Sequence, residues 1–469
     1  MKIRLMIITC LTIIVLALQL HAREFHVSNS TELNDSIAMA TGNRDAKDTI
    51  FLSAGIYTGN HTLDTIRIIA DETNEITICA EEGKNAEQII WDGNRNHILT
   101  ITTEAVLNII IQDITFQNGR GFDGSISLMT KGKCVIRNCI FKNNITIPIK
   151  FRFVKEAIIS NSFFINNNVN AILRSEGSEK ILIKNNLFRN NTAYNGSNIE
   201  VSKCKAVTID SNIITEESSS ISINYNENAI IKNNLIYNNT GSHISGHIII
   251  TYGGKNNVII SNNTIISNSC QDPCHSSIDA ALYISPGGYS ASYYIYNNIF
   301  WNNYGMQDIY INDFTNFTAL YNNIYYKLRG PVDESFNNTS QNPLFVDIHN
   351  NDYHLAPDSP CINTGSNNVP DLPETDLDGN PRINDTFIDI GAYEFSTTEK
   401  IPSDQNEDWA LTQEEFNAYA EAWRNGETWH KGPETIPIDY VTRSGYLQKK
   451  GENYKNEGGK KPTCWKPFR

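Results

Sequence analysis

Apolar and polar residues alternate in short runs along most of the chain, and each run ends in a polar residue that is usually Asn. Examples are VIRNCIFKNN from Val135, ILIKNNLFRNN from Ile181 and YYIYNNIFWNN from Tyr293. Short alternating runs rich in Ile, Phe and Tyr predict β-strands. One polar residue marks each copy of the pattern: Asp113, Asn138, Asn161, Asn185, Ser211, Asn233, Asn262, Asn297 and Asn322.

The spacing of these marker residues indicates a solenoid. Successive markers are 25, 23, 24, 26, 22, 29, 35 and 25 residues apart, so some turns carry inserted loops. At about 3.3 Å per residue, two dozen residues form one coil of two or three short strands, and strands of successive coils pair in parallel. We expect the marker amides, Asn185 and Asn233 among them, to lie inside and hydrogen-bond between coils. A polar low-complexity tract would not keep its apolar positions in register with the markers.

Residues Glu24 to Phe395, with these copies, resemble secreted right-handed parallel β-helix proteins. That superfamily includes pectate lyases, other polysaccharide lyases and some glycoside hydrolases. The resemblance implies an all-β fold, a right-handed parallel β-helix solenoid with an N-terminal cap at residues 23–395, whose last part from Asn342 closes the structure. A small C-terminal module, helical or irregular, follows a linker at residues 396–403.

The N-terminus has the pattern of an export signal. Lys2 and Arg4 precede an apolar run from Leu5 to Leu20, and a small residue, Ala22, follows, which predicts a signal peptide at residues 1–22. The run is too short to span a membrane comfortably, although an uncleaved anchor is the alternative. We therefore expect a secreted or cell-surface protein, a monomer without a membrane span once the signal is removed.

The cysteine positions and the net charge further limit the class of protein and its partners. Cys270 and Cys274 are the pair close enough in sequence to predict a disulfide in an exported chain, and they lie in an inserted loop. The formal net charge of −14 argues against nucleic acid as a partner. No nucleophile triad, phosphate loop or dinucleotide motif is present in the sequence.

Residues 404–469 combine a candidate calcium loop with a basic tail. The candidate ligands stand at loop positions 1, 3, 5, 7, 9 and 12, and they are Asp404, Asn406, Asp408, the carbonyl of Ala410, Thr412 and Glu415. The loop resembles a single EF-hand or dockerin loop, with Trp409 where glycine is usual and no second loop. A metal-free helix cap made by Thr412 and Glu415 is the alternative. Residues 427–469 hold nine basic and five acidic residues, which suits either an attachment tail or a solvated module.

Alternation along the strands predicts one outward face that could hold a ligand. Our alignment stacks Arg152 on Arg174 and turns Ile172 outward. The candidate glycan-binding residues on this face are Lys150, Arg152, Arg174, Glu200, Tyr283 and Tyr310. Cations there would bind carboxylates or sulfates, and the tyrosine rings would stack on sugars.

We consider two functions for this face. The alternative is that its charged side chains are only solvated and bind no ligand. The first is a noncatalytic glycan-binding or adhesive protein whose partner is a polysaccharide or cell-surface glycan. The second is a polysaccharide lyase or glycoside hydrolase that acts on an acidic polysaccharide. In lyases of the resembled fold a Lys or Arg abstracts the proton beside a uronate. The resemblance therefore makes Lys150 the candidate base, with Arg152 and Arg174 as further catalytic candidates that orient the substrate.

Overall fold

The computed structural model describes most of the chain from Ala22 onward. No helix among these residues has the length and apolar content that a membrane crossing requires. The described ranges are 22–42, 47–58, 61–64, 74–121, 124–169, 171–193, 197–217, 221–241, 247–251, 257–270, 280–285, 291–304, 307–312, 317–383, 386–396, 400–429 and 435–467.

Three parallel sheets, which we name A, B and C, wind around one core. Each coil contributes one strand to each sheet in that order, and each strand pairs with its counterpart in the next coil. The described residues form 13 strands in sheet A, 10 in sheet B and 11 in sheet C. This confirms the predicted parallel β-solenoid.

The strand bounds follow. Sheet A contains Arg23–Val27, Lys47–Leu52, Asn74–Ala80, Leu107–Gln112, Lys133–Arg137, Glu156–Ser160, Lys180–Lys184, Ala206–Asp210, Asn228–Lys232, Asn257–Ser261, Ser292–Tyr296, Phe317–Tyr321 and Glu334–Phe336. Sheet B contains Gly55–Thr58, Ile89–Asp92, Thr115–Gln117, Ile140–Lys142, Phe163–Ile165, Leu187–Arg189, Ile213–Thr215, Leu235–Tyr237, Thr264–Ile266 and Ile299–Trp301. Sheet C contains His61–Asp64, Leu99–Thr102, Ile126–Met129, Ile149–Arg152, Leu173–Glu176, Ile199–Ser202, Ile221–Asn224, Ile248–Thr251, Ala280–Ser285, Gln307–Ile311 and Leu328–Arg329.

Helices lie at the two ends of the chain. Helix α1 (Ser30–Gly42) covers the first coil, and its Leu33 and Ile37 are buried in the core. Helices α2 (Gln413–Asn425) and α3 (Ile438–Lys449) belong to the C-terminal module, and a short 3-10 helix spans Ile348–Asn350. Four small two-stranded sheets complete the list: Asn168–Val169 with Thr192–Ala193, Thr240–Gly241 with Ser269–Cys270, Phe345–Asp347 with Asp352–Leu355, and Tyr454–Asn456 with Trp465–Pro467.

The interior of the solenoid is built from columns of like side chains. Beneath sheet B, Trp91, Phe116, Phe141, Phe164 and Phe188 are fully buried at equivalent positions of successive coils. Neighbouring ring centroids are 5.7, 5.2, 4.8 and 4.7 Å apart, which is close to the spacing of paired strands. Stacked rings at this distance stabilise each coil against the next.

An asparagine ladder is present, but it begins one residue later than we predicted. Asn185 is exposed and has a φ of 57°, because the corner from sheet A to sheet B needs a left-handed residue that Asn tolerates. The next residue, Asn186, is buried, and its Nδ2 donates to Asn212 Oδ1 at 3.0 Å. Asn233 is buried as predicted, although its Nδ2 bonds the Ser211 hydroxyl. The inner column consists of Cys139, Ser162, Asn186, Asn212, Asn234, Asn263, Asn298, Asn323 and Asn338.

A second ladder follows the sheet B strands. Each member accepts hydrogen bonds from the backbone N–H of its predecessor in the preceding coil, and most also accept from that residue's amide. One rung is a carboxyl group, Glu217, whose pKa is raised well above its usual value by burial. In its neutral form this acid can replace the amide of the other rungs. The members are Asn144, Asn167, Asn191, Glu217, Asn239, Asn268 and Asn303.

Residues 342–395, which we name the closing segment, run along the A–B corner of the last coils. The Nδ2 atoms of Asn322 and Asn297 donate to the carbonyls of Thr364 and Ser366 at 2.7 and 3.0 Å. Farther along the segment, the carbonyl of Thr375 accepts from Asn233 at 3.1 Å. The left-handed asparagines of these coils are therefore buried by the protein's own chain, unlike Asn185 in the earlier coils.

The C-terminal module has a small core of its own. Leu411, Leu447 and Trp465 are fully buried together, so the predicted helical module is confirmed as a packed unit. Two hydrogen bonds join it to the closing segment: the Lys460 N–H donates to Asp352 at 3.2 Å, and Lys461 Nζ donates to Asn380 at 3.0 Å.

Candidate glycan-binding face

The outward residues of sheet C form two register rows, and together with the residues at the turn that follows we name them the sheet C face. Parallel pairing places equivalent residues of successive coils beside each other, about 4.8 Å apart. The first row is Lys150, Arg174, Glu200, Ser222, Ile249, Tyr283, Tyr310 and Arg329. The second row is Arg152, Glu176, Ser202, Asn224, Thr251 and Ser285.

The structure brings all six predicted residues to this face, but it corrects the register of one coil. Arg174 pairs with Lys150, and Arg152 pairs with Glu176, so Arg152 is not stacked on Arg174. Ile172 is fully buried instead of facing outward. The predicted alignment was two residues early in this coil because the inward position is filled by a polar residue, Ser175.

Ser175 is accommodated inside because its hydroxyl has buried partners. Its Oγ lies 3.0 Å from the Ser178 hydroxyl and 3.8 Å from the Cys204 sulfur. A buried hydroxyl with such partners avoids the cost of desolvation without a hydrogen bond. Alternation of apolar residues alone favours Ala171 and Leu173 as the inward pair, and it misses this arrangement.

Ion pairs organise the charged end of the face. Arg174 donates from Nε and Nη2 to one carboxylate oxygen of Glu200, at 2.9 and 2.6 Å. Lys203 donates to Glu176 at 2.9 Å. This hydrogen bond from Lys203 lowers the pKa of Glu176, and it raises the pKa of Lys203 itself. The charged end thus holds its donors and acceptors in fixed positions.

Aromatic rings organise the other end. Tyr283 and Tyr310 occupy the first row in neighbouring coils, with ring centroids 5.2 Å apart and planes inclined by 7°. The guanidinium of Arg329 lies 5.7 Å from the Tyr310 centroid. Parallel rings this close overlap face to face, so the two tyrosines and Arg329 form one stack at this end of the sheet C face.

A third column at the turn after each strand was not predicted. Phe153, Gly177, Lys203 and Tyr225 follow the second row, and all have positive φ. Phe153 and Tyr225 are 57% and 45% exposed, so two more rings border the face. A Cβ on Gly177 would lie 2.5 Å from the Phe153 ring, so a side chain there would displace that ring. The sequence signal was an aromatic or basic residue directly after the strand.

The catalytic candidates stay a prediction. Lys150 is 7% exposed, and Arg174 is engaged with Glu200. Arg152 stands beside Glu176 in the second row. The geometry therefore shows a charged and aromatic surface, and it does not by itself assign a base.

The candidate calcium loop is closed by hydrogen bonds within the protein. Oε1 of Glu415 accepts from the N–H groups of Gln405 and Asn406, and its Oε2 accepts from the N–H and hydroxyl of Thr412. These four bonds use the four acceptor positions of the carboxylate. Thr412 and Glu415 also form the capping box of helix α2, which was the metal-free alternative.

The other candidate ligands are also engaged. Asp404 accepts from the Tyr454 hydroxyl at 2.6 Å and from the Trp409 N–H at 3.1 Å. Asn406 and Asp408 bond each other, and Ala410 donates its N–H to Asp408. In the described ranges, no three His, Cys, Asp or Glu side chains are grouped as metal ligands. This arrangement does not fit an ion without rearrangement of Glu415, and calcium binding stays a prediction.

Trp409 nevertheless occupies the sharp bend that the resemblance assigns to glycine. Its φ is 66°, and its ring packs 5.4 Å from the Tyr454 ring. The neighbouring Leu411 donates its N–H to the carbonyl of Glu452 at 3.0 Å. The loop is thus paired with a segment after helix α3, which the sequence did not reveal.

The predicted disulfide lies outside the described residues, because Cys274 and the side chain of Cys270 are not described. The cysteines that the structure does describe are buried and free of disulfides: Cys79, Cys134, Cys139, Cys204, Cys361 and Cys464. Burial raises the pKa of Cys139 to about 12 and that of Cys79 to about 11, so these thiols are inert core residues.

Comparisons with known proteins agree with the fold. A family model described as right handed beta helix region matches residues 96–265, which confirms the predicted handedness. No curated protein matches the chain in sequence.

Solved structures of similar fold act on different polysaccharides. Pectate lyase Pel9A is 14% identical, with 79% of this chain and 96% of that chain covered and a TM-score of 0.39. The PL6 family alginate lyase AlyGC is 11% identical, with 66% and 53% covered and a TM-score of 0.33. The A-module of mannuronan C-5 epimerase AlgE4 from Azotobacter vinelandii is 11% identical, with 66% and 97% covered and a TM-score of 0.34. At TM-scores below 0.5, these likenesses carry no conclusion about this chain.

Proposed function

We propose that the protein binds an acidic polysaccharide along the sheet C face, outside the cell and without catalysis. The polymer lies across the strands, so that the outward side chains of successive coils contact successive sugar units. The predicted signal peptide at residues 1–22 supports the extracellular location. The monomer prediction is kept, since one solenoid carries the whole face.

One observation carries this proposal: the ion-paired end and the aromatic end share a single register row. Arg174 and Tyr283 are four strand steps apart, a distance of about 19 Å at the usual strand spacing. A long polymer can therefore contact both ends at once. Its charged groups meet Arg174 while one of its sugar rings contacts the tyrosine stack at Tyr283.

The charge of the face favours an acidic ligand. Among the described residues, two carboxylates, Glu176 and Glu200, face a larger set of cations. The cationic residues of the face are Lys150, Arg152, Arg174, Lys203 and Arg329. The whole chain has a formal charge of −14, so this face opposes the overall charge. Local positive charge on a negative protein attracts carboxylated or sulfated polymers.

Binding is favoured over elimination because the candidate base is buried. An eliminating enzyme needs a base that reaches the proton beside the uronate, and Lys150 is only 7% exposed. Lyase activity is a distinct outcome of the same experiment, since it produces unsaturated uronate that absorbs light. Such absorbance with an acidic polysaccharide would replace the binding proposal by the lyase alternative.

The test is an array of acidic and neutral glycans, followed by calorimetry with the strongest ligand. We expect Arg174→Ala and Tyr283→Ala to weaken binding at least about tenfold each, because each removes one end of the row. Arg137→Ala is the matched control, since Arg137 is an exposed arginine on sheet A that bonds Gln112. Binding that both face variants retain would exclude this face, and the absence of any glycan ligand would contradict the function.

A further inference from the structure

A second surface site lies at the corner between sheets B and C in the early coils. A cavity of about 720 Å³ opens there, lined by Asp92, Arg95, Asn118, Arg120, Asn143 and Ile145 among others. These residues follow the sheet B strands of consecutive coils, whereas the sheet C face is made by later strand residues. The cavity is thus separate in sequence from the site described above.

The carboxylate of Asp92 lines the cavity and is held in place by hydrogen bonds. Asp92 Oδ2 accepts from Gln117 Nε2 at 2.7 Å and from Asn118 Nδ2 at 2.8 Å. Its Oδ1 accepts from the Asn94 N–H at 2.7 Å. Three neutral donors hold the group in place without cancelling its charge, so Asp92 keeps acceptor capacity for a ligand hydroxyl.

Two arginines from consecutive coils are placed at the cavity by backbone contacts. The Arg95 N–H donates to the Asn118 carbonyl at 3.0 Å, and the Arg120 N–H donates to the Asn96 carbonyl at 2.8 Å. Both side chains are exposed. Within the described part of the chain, neither guanidinium forms an ion pair or a side-chain hydrogen bond. Their five donors each therefore face the cavity or solvent.

Left-handed residues turn the backbone at this corner, as they do at other corners of the solenoid. Asn94 and Arg95 have φ values of 44° and 66°, and a left-handed arginine is uncommon because its Cβ crowds the backbone. A Cβ on Gly93 would lie 2.9 Å from the Gly119 Cα, so glycine permits the close approach of the two coils. The close approach brings residues of the two coils to the same cavity.

We propose that this corner pocket binds one acidic sugar unit, a uronate. The two guanidinium groups bind its carboxylate, Asp92 accepts from its hydroxyls, and Ile145 contacts its apolar ring face. A simple inorganic anion fits less well, because the fixed carboxylate of Asp92 repels it. The proposal does not rest on the sheet C face, which different residues form.

The test uses the purified full chain and sodium galacturonate, with galactose as the neutral match and sulfate as a simple anion. We expect galacturonate to bind in the millimolar range, with galactose and sulfate at least about tenfold weaker. The Arg95→Gln/Arg120→Gln double variant loses galacturonate binding by at least about tenfold, while Arg137→Gln and Arg174→Ala retain it. Melting temperatures show that each variant is folded.

Asp92→Asn separates sugar recognition from adventitious anion binding. Loss of the carboxylate should weaken galacturonate and strengthen sulfate, since it removes both a hydroxyl acceptor and a repelling charge. The pocket proposal is overturned if the wild type does not bind galacturonate, if the double arginine variant binds it normally, or if galactose binds equally well. It is also overturned if Asp92→Asn strengthens galacturonate and sulfate alike, which indicates an adventitious ion only.

Discussion

The A–B corner and the sheet C face belong to the same repeat, but their polar side chains have different partners. At the A–B corner of the last coils, the left-handed asparagines are covered by the closing segment, whose carbonyls accept their amide hydrogens. On the sheet C face, outward charges pair across neighbouring coils, as Arg174 does with Glu200. The difference teaches that polar residues of the repeat stabilise the fold where the chain covers them, whereas on the uncovered sheet C face they stay available to the ligand that we propose.

The largest effect should come from the covered side. Arg382 is 1% exposed and lies 3.3 Å from Glu394, near Asp376 and Asp389. Burial raises the pKa of Glu394 to about 9 despite the arginine. We expect Arg382→Met to lower the free energy of unfolding by about 3–5 kcal/mol, because it removes the cation near the buried Asp376 and Asp389 and leaves the Gly391 carbonyl without this donor. Chemical denaturation at neutral pH measures this loss.

The open face supplies the control for Arg382. Arg174→Ala removes a partly exposed ion pair, so it should cost at most about 1 kcal/mol of stability while it weakens glycan binding. If Arg174→Ala destabilised the fold as much as Arg382→Met, the two sides would not differ in the way we describe.

A smaller effect separates the inner ladder from the outer marker. In Asn212→Leu the adjacent Asn186 loses the acceptor of its N–H and Nδ2, and we expect a loss of about 1–3 kcal/mol. Asn185→Gly is the matched change at the exposed marker, where glycine also accepts a positive φ, and it should be nearly neutral. Thermal melting compares the two, and equal losses would contradict the corrected ladder.

The pH dependence of stability tests a buried charge of the closing segment. Burial disfavours the charged form of His354, but its bonds to Asp352 at 2.5 Å and Asp378 at 2.8 Å outweigh this and raise its pKa to about 9. Since the folded pKa exceeds the unfolded value of about 6.5, the stabilisation is complete below pH 6.5 and is lost as pH rises through 9.

The corresponding experiment compares the wild type with His354→Gln from pH 6 to pH 10. The difference in melting temperature should be largest at pH 6 and should close by pH 10. The loss caused by Arg174→Ala should stay constant over the same range, since arginine does not titrate there. A His354 difference that is independent of pH would show that the charge plays no part.

The repeat made the fold predictable, while local exceptions hid parts of the sites. A period near two dozen residues with apolar strands permits few folds. In each Asn-Asn pair, however, the sequence pattern does not say which residue adopts the left-handed conformation at the corner. The sequence therefore predicts Asn185 as the buried residue, whereas the structure buries Asn186. The buried hydroxyl of Ser175 shifted the register beside Arg174. Arg95 and Arg120 lie in the turns after sheet B, outside the apolar pattern of the strands, and only the structure brings them together.

The central claim is that one polymer contacts both ends of the sheet C face. Calorimetry with a length series of the strongest acidic glycan tests it most directly. The affinity should rise with length until the oligomer spans Arg174 to Tyr310, about 24 Å at the usual strand spacing, and then level off. In the Tyr283→Ala/Tyr310→Ala double variant, the affinity should stop rising at a shorter oligomer length. An affinity that is independent of length, or a length dependence that this variant leaves unchanged, would contradict the account.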